Sequence, residues 1–504
     1  NISIDSLRLS MYENSNDWPD LTTIFFDHIF STNFVNGVIV PSIDFNYDIG
    51  LTGSFSMPWY QSGLLIWHID ESVIETRYGI FKMYTFQDLI HKGYIIALTY
   101  GNIKKEILYT RIHSSCITSE TFRSQDCDCV QQLYGAFKKI SEKGNGILFY
   151  LIQEGRGCGY IGKSRACMHV QYQEDKITTF DAYKMLGMKK DYRDYTSVKD
   201  ICYLLDINPK FILMTNNPDK IDGLTNLGFH IEKTETIEFK PNPFNQDYLI
   251  SKQKTGHILY EAREKIQKYE LNNKKCEPFI PYHLENCKRF LHVASYYLPI
   301  KPINNKIIVS NDDYALIQKD ANYDIAFTRL PNNNFLIKAT DKLIKEFPKL
   351  LCKPYWFKMN CFFDIATHKD VLILQYGDCK INPIVRIHSE SIVDRFPILD
   401  RENRNKYKKS IQKIISHGSG LIIHFYDDGR GSGFGGSIIN KKYGRNITGI
   451  RHDSRDYRGI SHLIKEFINP EEIILLYASE RSQELSTQEL RKAGIIINRL
   501  IHIW

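Results

Sequence analysis

The chain has 504 residues, enough for about three domains at roughly 150 residues each. Hydrophobic residues at 43% and charged residues at 24% are ordinary globular values, and no apolar run approaches the roughly 20 residues of a membrane span, so a soluble protein is expected. The net charge of +7 is dispersed, which argues against a nucleic-acid arm; runs such as KKDYRDY and NRNKYKK read as solvated faces.

The opening, NISIDSLRLSMYENSNDW, lacks a basic segment followed by an apolar one, and the 11 cysteines form an odd set outside any small-scaffold context. Neither feature suits a secreted disulfide framework, so a reducing cytoplasm is the expected compartment. Residues 1 to 74 read as an N-terminal extension.

The first segment that carries chemistry is RIHSSCITSETFRSQDCDCVQQL, which holds Cys116, Cys127 and Cys129. Three thiolates suit three of the four tetrahedral positions of zinc, and no fourth ligand of obvious spacing follows, which leaves a position for water. Arg111, His113, Asp126 and Asp128 make the segment polar rather than core-like. Cys129 runs into a helical pattern with Val130, Leu133, Phe137 and Ile140 on one face, and the dipole of such a helix favours the thiolate.

The strand-like run GILFYLI then enters Gln153, Glu154, Gly155, Arg156, Gly157, Cys158 and Gly159. Glycines let backbone donors approach a ligand closely and Arg156 offers a planar fork for phosphate oxygens, although a tight turn after a buried strand needs the same residues. Asp191 and Arg193 in KKDYRDYTS fit either a surface ion pair or a site. After FILMT come Thr215, Asn216, Asn217, Pro218, Asp219 and Lys220, where Asn217 suits an N-cap and Pro218 the first helical position. That arrangement aims free amides and Lys220 at an anion, or simply caps a helix. Strand-length runs GILFYLI, FILMT and HIEKTETI alternate with helical patterns near 130 to 142, 196 to 205 and 218 to 227, an α/β pattern.

Residues 261 to 290 include a charged helical pattern, AREKIQKYELNNKK, and 300 to 350 carry short strand-like runs such as KIIVS between Asn- and Pro-rich turns. Beyond them the motif order repeats. RIHSSC, GNGILFYLIQEGRGCGY, DYRDY, FILMTNNP and LGFHI are echoed by RIHSES, GSGLIIHFYDDGRGSGF, DSRDY, IILLYASE and AGIII. Upstream, YGIFKMYTFQDLIHKGYIIALTYG is echoed by YWFKMNCFFDIATHKDVLILQYGD. The expected organisation is two related α/β units in tandem, at 75 to 260 and 352 to 504, with 261 to 351 as a connecting segment.

RIHSSC…CDCVQQL, QEGRG, DYRDY, TNNPDK and NPFNQDYLISKQKTGH resemble, in order and spacing, the GTP cyclohydrolase II family over about residues 77 to 260. The resemblance implies a zinc-dependent hydrolase that opens the imidazole ring of GTP and releases formate and pyrophosphate, the first step of riboflavin synthesis, with Mg2+ at the triphosphate. Cys116, Cys127 and Cys129 become the zinc ligands. Arg111, Gln132, Glu154, Arg156, Thr179, Thr215 and Lys220 become substrate contacts, Asp191 the proton acceptor and Arg193 the nucleophile at the α-phosphate. An arginine nucleophile requires strong local deprotonation, because guanidinium stays protonated in most settings.

Two departures lie near the reacting ring. The family usually has Glu where this chain has Ser115, and Tyr where it has Cys167; a short insertion falls near Gln171 to Lys176. The stretch HSSC…TSETFRSQDCDC also resembles a divergent branch of the family linked to uracil catabolism, which makes a pyrimidine nucleotide an alternative substrate. A regulatory protein that keeps the pocket for nucleotide recognition alone is the reading outside enzymology.

The second unit keeps Arg386, His388, Asp428, Arg430, Asp453 and Arg455, but Ser391 replaces the first cysteine, no CDC pair follows and Tyr477 stands where Thr215 stands. It has lost the metal site. Glu390 occupies the position that Ser115 vacates, which leaves a composite site open. Members of the family resemble homodimers, so the two units are expected to pack as an intramolecular pseudo-dimer, alone or within a further oligomer, the second serving as scaffold.

Overall fold

Two seven-stranded sheets with the same strand order organise the chain. The computed structural model describes residues 34–35, 38–39, 66–88, 93–173, 177–242, 244–254, 257, 289–301, 306–321, 323–330, 333–351, 354–367, 369–389, 391–399, 401–425, 428–431, 433–444, 453 and 455–504. Short strands β1 (Phe34–Val35) and β2 (Val38–Ile39) pair with each other. The first large sheet contains β3 (Ile66–Thr76), β4 (Gly79–Asp88), β5 (Tyr94–Tyr100), β6 (Leu108–Ser114), β7 (Gly146–Leu151), β8 (Lys210–Met214) and β9 (His230–Glu235), in the order β3-β4-β5-β7-β6-β8-β9.

Strand β7 sits where the antiparallel half, β3 to β5, meets the parallel half, β6, β8 and β9. It is buried on both faces along its whole length, which is why its sequence is an unbroken apolar run rather than an alternating one. The expected amphipathic helix spans Cys129–Lys143 and buries Leu133, Ala136, Phe137 and Ile140; it stops at Gly144, whose φ of 75° is a left-handed cap. Helices Thr196–Leu204 and Pro218–Asn226 also form where the periodicity places them.

Two further helices, Gly159–Tyr172 and Thr179–Met185, escape the sequence pattern. The first buries Tyr160, Gly162, Ser164, Ala166 and Met168, which form no helical stripe, because it is covered from more than one side. Part of its cover is a strand of the second sheet.

That sheet contains β10 (Phe290–Ile300). After it a small three-stranded sheet is built from β11 (Lys306–Val309), β12 (Phe327–Arg329) and β13 (Phe335–Lys338), and the large sheet continues with β14 (Tyr355–Asp364), β15 (Lys369–Tyr376), β16 (Ile384–Ser389), β17 (Gly420–Phe425), β18 (Glu472–Tyr477) and β19 (Ile496–His502). Its order, β10-β14-β15-β17-β16-β18-β19, repeats the first.

Both sheets therefore begin earlier than the motif comparison places the units: at Ile66 rather than 75, and at Phe290, inside the segment taken as a connection. The two first strands carry a bulge at matching places, between His68 and Asp70 and between His292 and Ala294. Their sequences, IWHIDESVIET and FLHVASYYLPI, share little, since edge strands answer to local packing more than to a common motif. In the first unit a tight turn joins β3 to β4; in the second, the small sheet and its helices, with a core of their own around Tyr314, Ile317 and Leu343, are inserted between the equivalent strands. The charged pattern of 262 to 275 lies outside the described residues, as do nearly all of 1 to 65 and residues 174 to 176 of the expected insertion.

Contacts between the units come in matched pairs. Thr76 bridges Ile398, and Ser124 bridges Ile300. The Gln125 amide donates to the Pro299 carbonyl at 2.8 Å, and the Leu399 amide to the Glu75 carbonyl at 3.0 Å. Helix Gly159–Tyr172 packs on β10, and helix Gly433–Tyr443 packs on β3. Phe122 rests against Tyr407 and His424, while Phe396 rests against Phe137 and Tyr150. Among the described residues no helix is long and apolar enough to cross a membrane.

Candidate active site

Parallel strands β6, β7 and β8 all end at the same edge of the first sheet, the place where open α/β sheets collect ligands. Cys116 follows β6, Glu154 follows β7 and Thr215 follows β8. A cavity of about 530 Å³ lies there, and all twelve residues nominated from the sequence line it: Arg111, Cys116, Cys127, Cys129, Gln132, Glu154, Arg156, Thr179, Asp191, Arg193, Thr215 and Lys220.

The sulfurs of Cys116, Cys127 and Cys129 lie within 4.8 Å of one another, with 3.7 Å between the first two. Cys116 precedes a four-residue helical turn, Ile117–Glu120, and Cys129 opens the helix capped by Asp128. The trio cannot carry three charges unaided. Its mutual hydrogen bonds push the Cys116 thiol down and those of Cys127 and Cys129 up. A divalent cation is what lets three such thiols ionise together, and this all-sulfur donor set suits a thiophilic ion such as zinc.

Lys163 stands over this group. Its Nζ lies 3.2 Å from Cys116 Sγ, 3.0 Å from Thr118 Oγ1 and 2.7 Å from Glu154 Oε1. Glu154 in turn accepts the amide of Ile117 at 2.8 Å, and burial pushes its carboxyl up to about 7.

Cations line the same cavity. Arg111 bonds the Met214 carbonyl and Gln132 Oε1, each at 2.7 Å, and Gln132 passes the chain to Asp128 at 2.6 Å. Lys220 is buried with its Nζ on the Ile112 carbonyl at 2.8 Å; burial, then Arg111 and Arg193, hold its ammonium well below the usual lysine range. Pro218 and Asn217 do begin and cap their helix, the Asn217 side chain accepting the Asp219 amide at 3.1 Å.

Arg156 occupies a left-handed turn, φ 60°, with its guanidinium 3.6 Å from the centre of the Phe180 ring. Gly157 lets this loop meet the Asp191 loop: a Cβ there would lie 2.9 Å from the Tyr192 carbonyl carbon, where the Tyr192 amide bonds the Arg156 carbonyl at 2.9 Å.

Asp191 and Arg193 form a forked pair, with Arg193 Nε 3.0 Å from Oδ1 and Nη2 in a short contact to Oδ2. Burial alone would lower the arginine and raise the aspartate. The pairing outweighs it, so Arg193 ends above and Asp191 below its ordinary value. The guanidinium in this arrangement keeps its charge, which suits it to stabilising phosphate oxygens rather than to attacking phosphorus.

Several buried polar atoms of cavity-lining residues have no partner among the described residues: Arg111 Nε, Asp126 Oδ1, Gln153 Oε1, Arg156 Nη1, Thr179 Oγ1 and Ser115 Oγ. Leaving such groups unpaired is costly, so the cavity is shaped for a polar ligand.

The second unit keeps the frame without the thiols. Arg386 bonds the Leu476 carbonyl at 3.3 Å as Arg111 bonds Met214, Asp428 accepts the Ile392 amide at 2.9 Å as Glu154 accepts Ile117, and Arg455 forks onto Asp453. Ser391 stands before the equivalent turn, Ile392–Arg395. Glu390, the residue that left a composite site open, lies outside the described residues.

A model of the family described as GTP cyclohydrolase II matches residues 68–237 and again 350–499. The chain belongs to the GTP cyclohydrolase II family. It is 40% identical over 188 residues to the GTP cyclohydrolase-2 of Hahella chejuensis, covering 37% of this chain and 89% of that protein. The GTP cyclohydrolase-2 of Buchnera aphidicola from Schizaphis graminum is 38% identical over 195 residues, 38% of this chain and 97% of its own. The riboflavin biosynthesis protein RibBA of Endomicrobium trichonymphae is 41% identical over 188 residues; there the match spans 37% of this chain and 46% of that longer protein.

Sequence reasoning missed Lys163 and the aromatic wall. Lys163 was legible in the duplication, because Ser437 stands in its place in the unit that has also lost its thiols. Tyr248 and Lys252, on helix Gln246–Lys254, also line the cavity, with Lys252 3.6 Å from Asp128. Four more lining residues, Tyr296, Tyr297, Pro299 and Trp356, come from β10 and β14 of the other sheet, and no motif could have announced them.

Proposed function

We propose that this GTP cyclohydrolase II family member is a zinc-dependent hydrolase that opens the ring of a nucleoside triphosphate, GTP in the first instance, and releases pyrophosphate and formate. The observation that carries the reading is one cavity lined both by a three-sulfur centre and by the cations Arg156, Arg193 and Lys220. Ring opening needs the first kind of lining and a triphosphate the second.

Cys116, Cys127 and Cys129 would hold the zinc, which when bound supplies an acidified water for attack on a ring carbon. Lys163 stabilises the Cys116 thiolate and keeps Glu154 in place. Arg156 and Arg193 bind phosphate oxygens; Mg2+, if bound with the triphosphate, would supply further charge neutralisation there. Asp191 orients Arg193 and is the proton acceptor nearest to it. Arg111, Gln132, Thr179, Thr215 and Lys220, which line the same cavity, are further substrate contacts.

The second unit is read as a partner fused in place, forming an intramolecular pseudo-dimer with units running from about residue 66 to 260 and from about 289 to 504. The matched contacts support this, since an isologous interface requires that each contact recur with the roles exchanged. A cytoplasmic site of action fits the cysteine-rich, reduced centre.

The test is to incubate the purified protein with GTP, UTP and other nucleotides while following pyrophosphate, formate and ring absorbance together. GTP turnover with formate supports the reading. Turnover of UTP alone would instead favour the uracil-catabolic relative, a reading kept open by Ser115 and Cys167, both of which line the cavity. Tight binding of nucleotides without any product would favour the regulatory protein.

A further inference from the structure

The last residues of two equivalent turns meet across the interface: Glu120 of Ile117–Glu120 and Arg395 of Ile392–Arg395. We propose that Arg395, supplied by the unit that has no thiols, is a positioning residue for the metal centre of the other unit.

The path is short and fully buried. Arg395 Nη1 donates to the Tyr150 hydroxyl at 2.9 Å and lies 3.8 Å from Glu120 Oε2, and the side chains of Arg395 and Glu120 are 3% and 0% exposed. The Tyr150 hydroxyl donates to Glu120 Oε2 at 2.5 Å. The other carboxylate oxygen, Oε1, meets His113 Nε2 at 2.8 Å and accepts the backbone amide of Cys116 at 3.1 Å. Glu120 thus fixes the backbone of a thiol ligand, and Arg395 fixes Glu120.

A buried carboxylate needs a matching cation, and a guanidinium that cannot lose its proton is the secure way to provide one. Identical copies could not do this, because each would bring the same residue to the shared position. Arg395 opposite Glu120 is an asymmetry open only to a duplicated chain. It gives the second unit a role beyond scaffolding: loss of its own metal site freed the position for a charge that serves the first.

The inference rests on the metal reading of the cysteine trio, and the experiment separates the two. Zinc content is measured on the unaltered protein, then retention against a chromogenic chelator on Arg395→Met, Arg395→Lys and Tyr150→Phe, with thermal melting and the KM and kcat for GTP beside it. We expect Arg395→Met to weaken zinc retention at least about tenfold, the usual scale for groups that orient ligands, with KM little changed and Arg395→Lys restoring much of the loss. If Arg395→Met does not fold, Tyr150→Phe, which deletes one oxygen of the relay, decides and is expected to weaken retention severalfold. Unchanged retention in the folded variants of a zinc-containing protein would overturn the role of Arg395, as would losses that merely follow melting temperature and are not rescued by lysine. An unaltered protein that binds no zinc would overturn the metal reading itself, and this inference with it.

Discussion

Lys163 donates to Cys116 at 3.2 Å, so an ammonium sits against a thiol of the metal centre from a helix that follows a different strand. The same Nζ holds Glu154 at 2.7 Å. Burial would strip its proton, but Cys116 and Glu154 raise it well above the usual lysine range, so it stays charged. Lys163→Met should therefore lower zinc affinity by about 10- to 100-fold, as loss of a ligand-orienting group does. Metal titration and steady-state kinetics check it: kcat should fall with KM for the nucleotide within a few-fold.

The three-sulfur centre and the phosphate-binding cations should fail separately. Arg193→Ala should cut pyrophosphate release by about 100- to 1000-fold, the cost of removing a preorganised charge donor. Arg193→Lys should recover little, because an ammonium cannot reproduce the fork onto Asp191. Cys127→Ser should instead stop formate release while leaving pyrophosphate release measurable. Product analysis on both variants tests the assignment, and full pyrophosphate release by Arg193→Ala would refute it.

Trp356 tests whether the second sheet takes part in recognition. Its indole lines the cavity and packs edge-on to Phe244 at 6.1 Å. Trp356→Ala should raise KM for the nucleotide by about tenfold, a modest share of the stacking available to a base on an aromatic face. Zinc content and melting temperature should stay near those of the unaltered protein.

A chain ending near residue 282 should aggregate or form dimers. It would lose the cover on Phe122, Ile117 and Tyr160, which are packed with Tyr296, Phe357 and Tyr407 in one apolar cluster. Light scattering on the truncated chain decides it, and a monomeric, fully active product would make the second unit a separate module.

The first unit's share of the candidate site was legible because the residues nominated for it stand in motifs that are local in sequence. Three cysteines with polar neighbours, a glycine loop after a buried strand and Asn217-Pro218 before a helix each declare themselves over a few residues. Strand β7 was legible for the same reason, being an apolar run flanked by turns. Helix Gly159–Tyr172 was not, since it buries small residues on several sides and shows no stripe. The strands β3 and β10 were missed because their constraint comes from the opposite unit's helix rather than from their own pattern. Trp356 and Arg395 belong to the same class. The roles proposed for them depend on contact between the two units, and nothing in the residues beside them carries that information.

The three-cysteine centre is proposed to open the ring of a nucleoside triphosphate. The most direct measurement is formate released from GTP by the zinc-replete protein, counted against pyrophosphate in the same reaction. Both products should accumulate over many turnovers, and formate release should disappear when zinc is removed by chelation and return when it is restored. Formate release indifferent to zinc, or no formate from GTP, UTP or any other nucleotide despite a full complement of zinc, would contradict it.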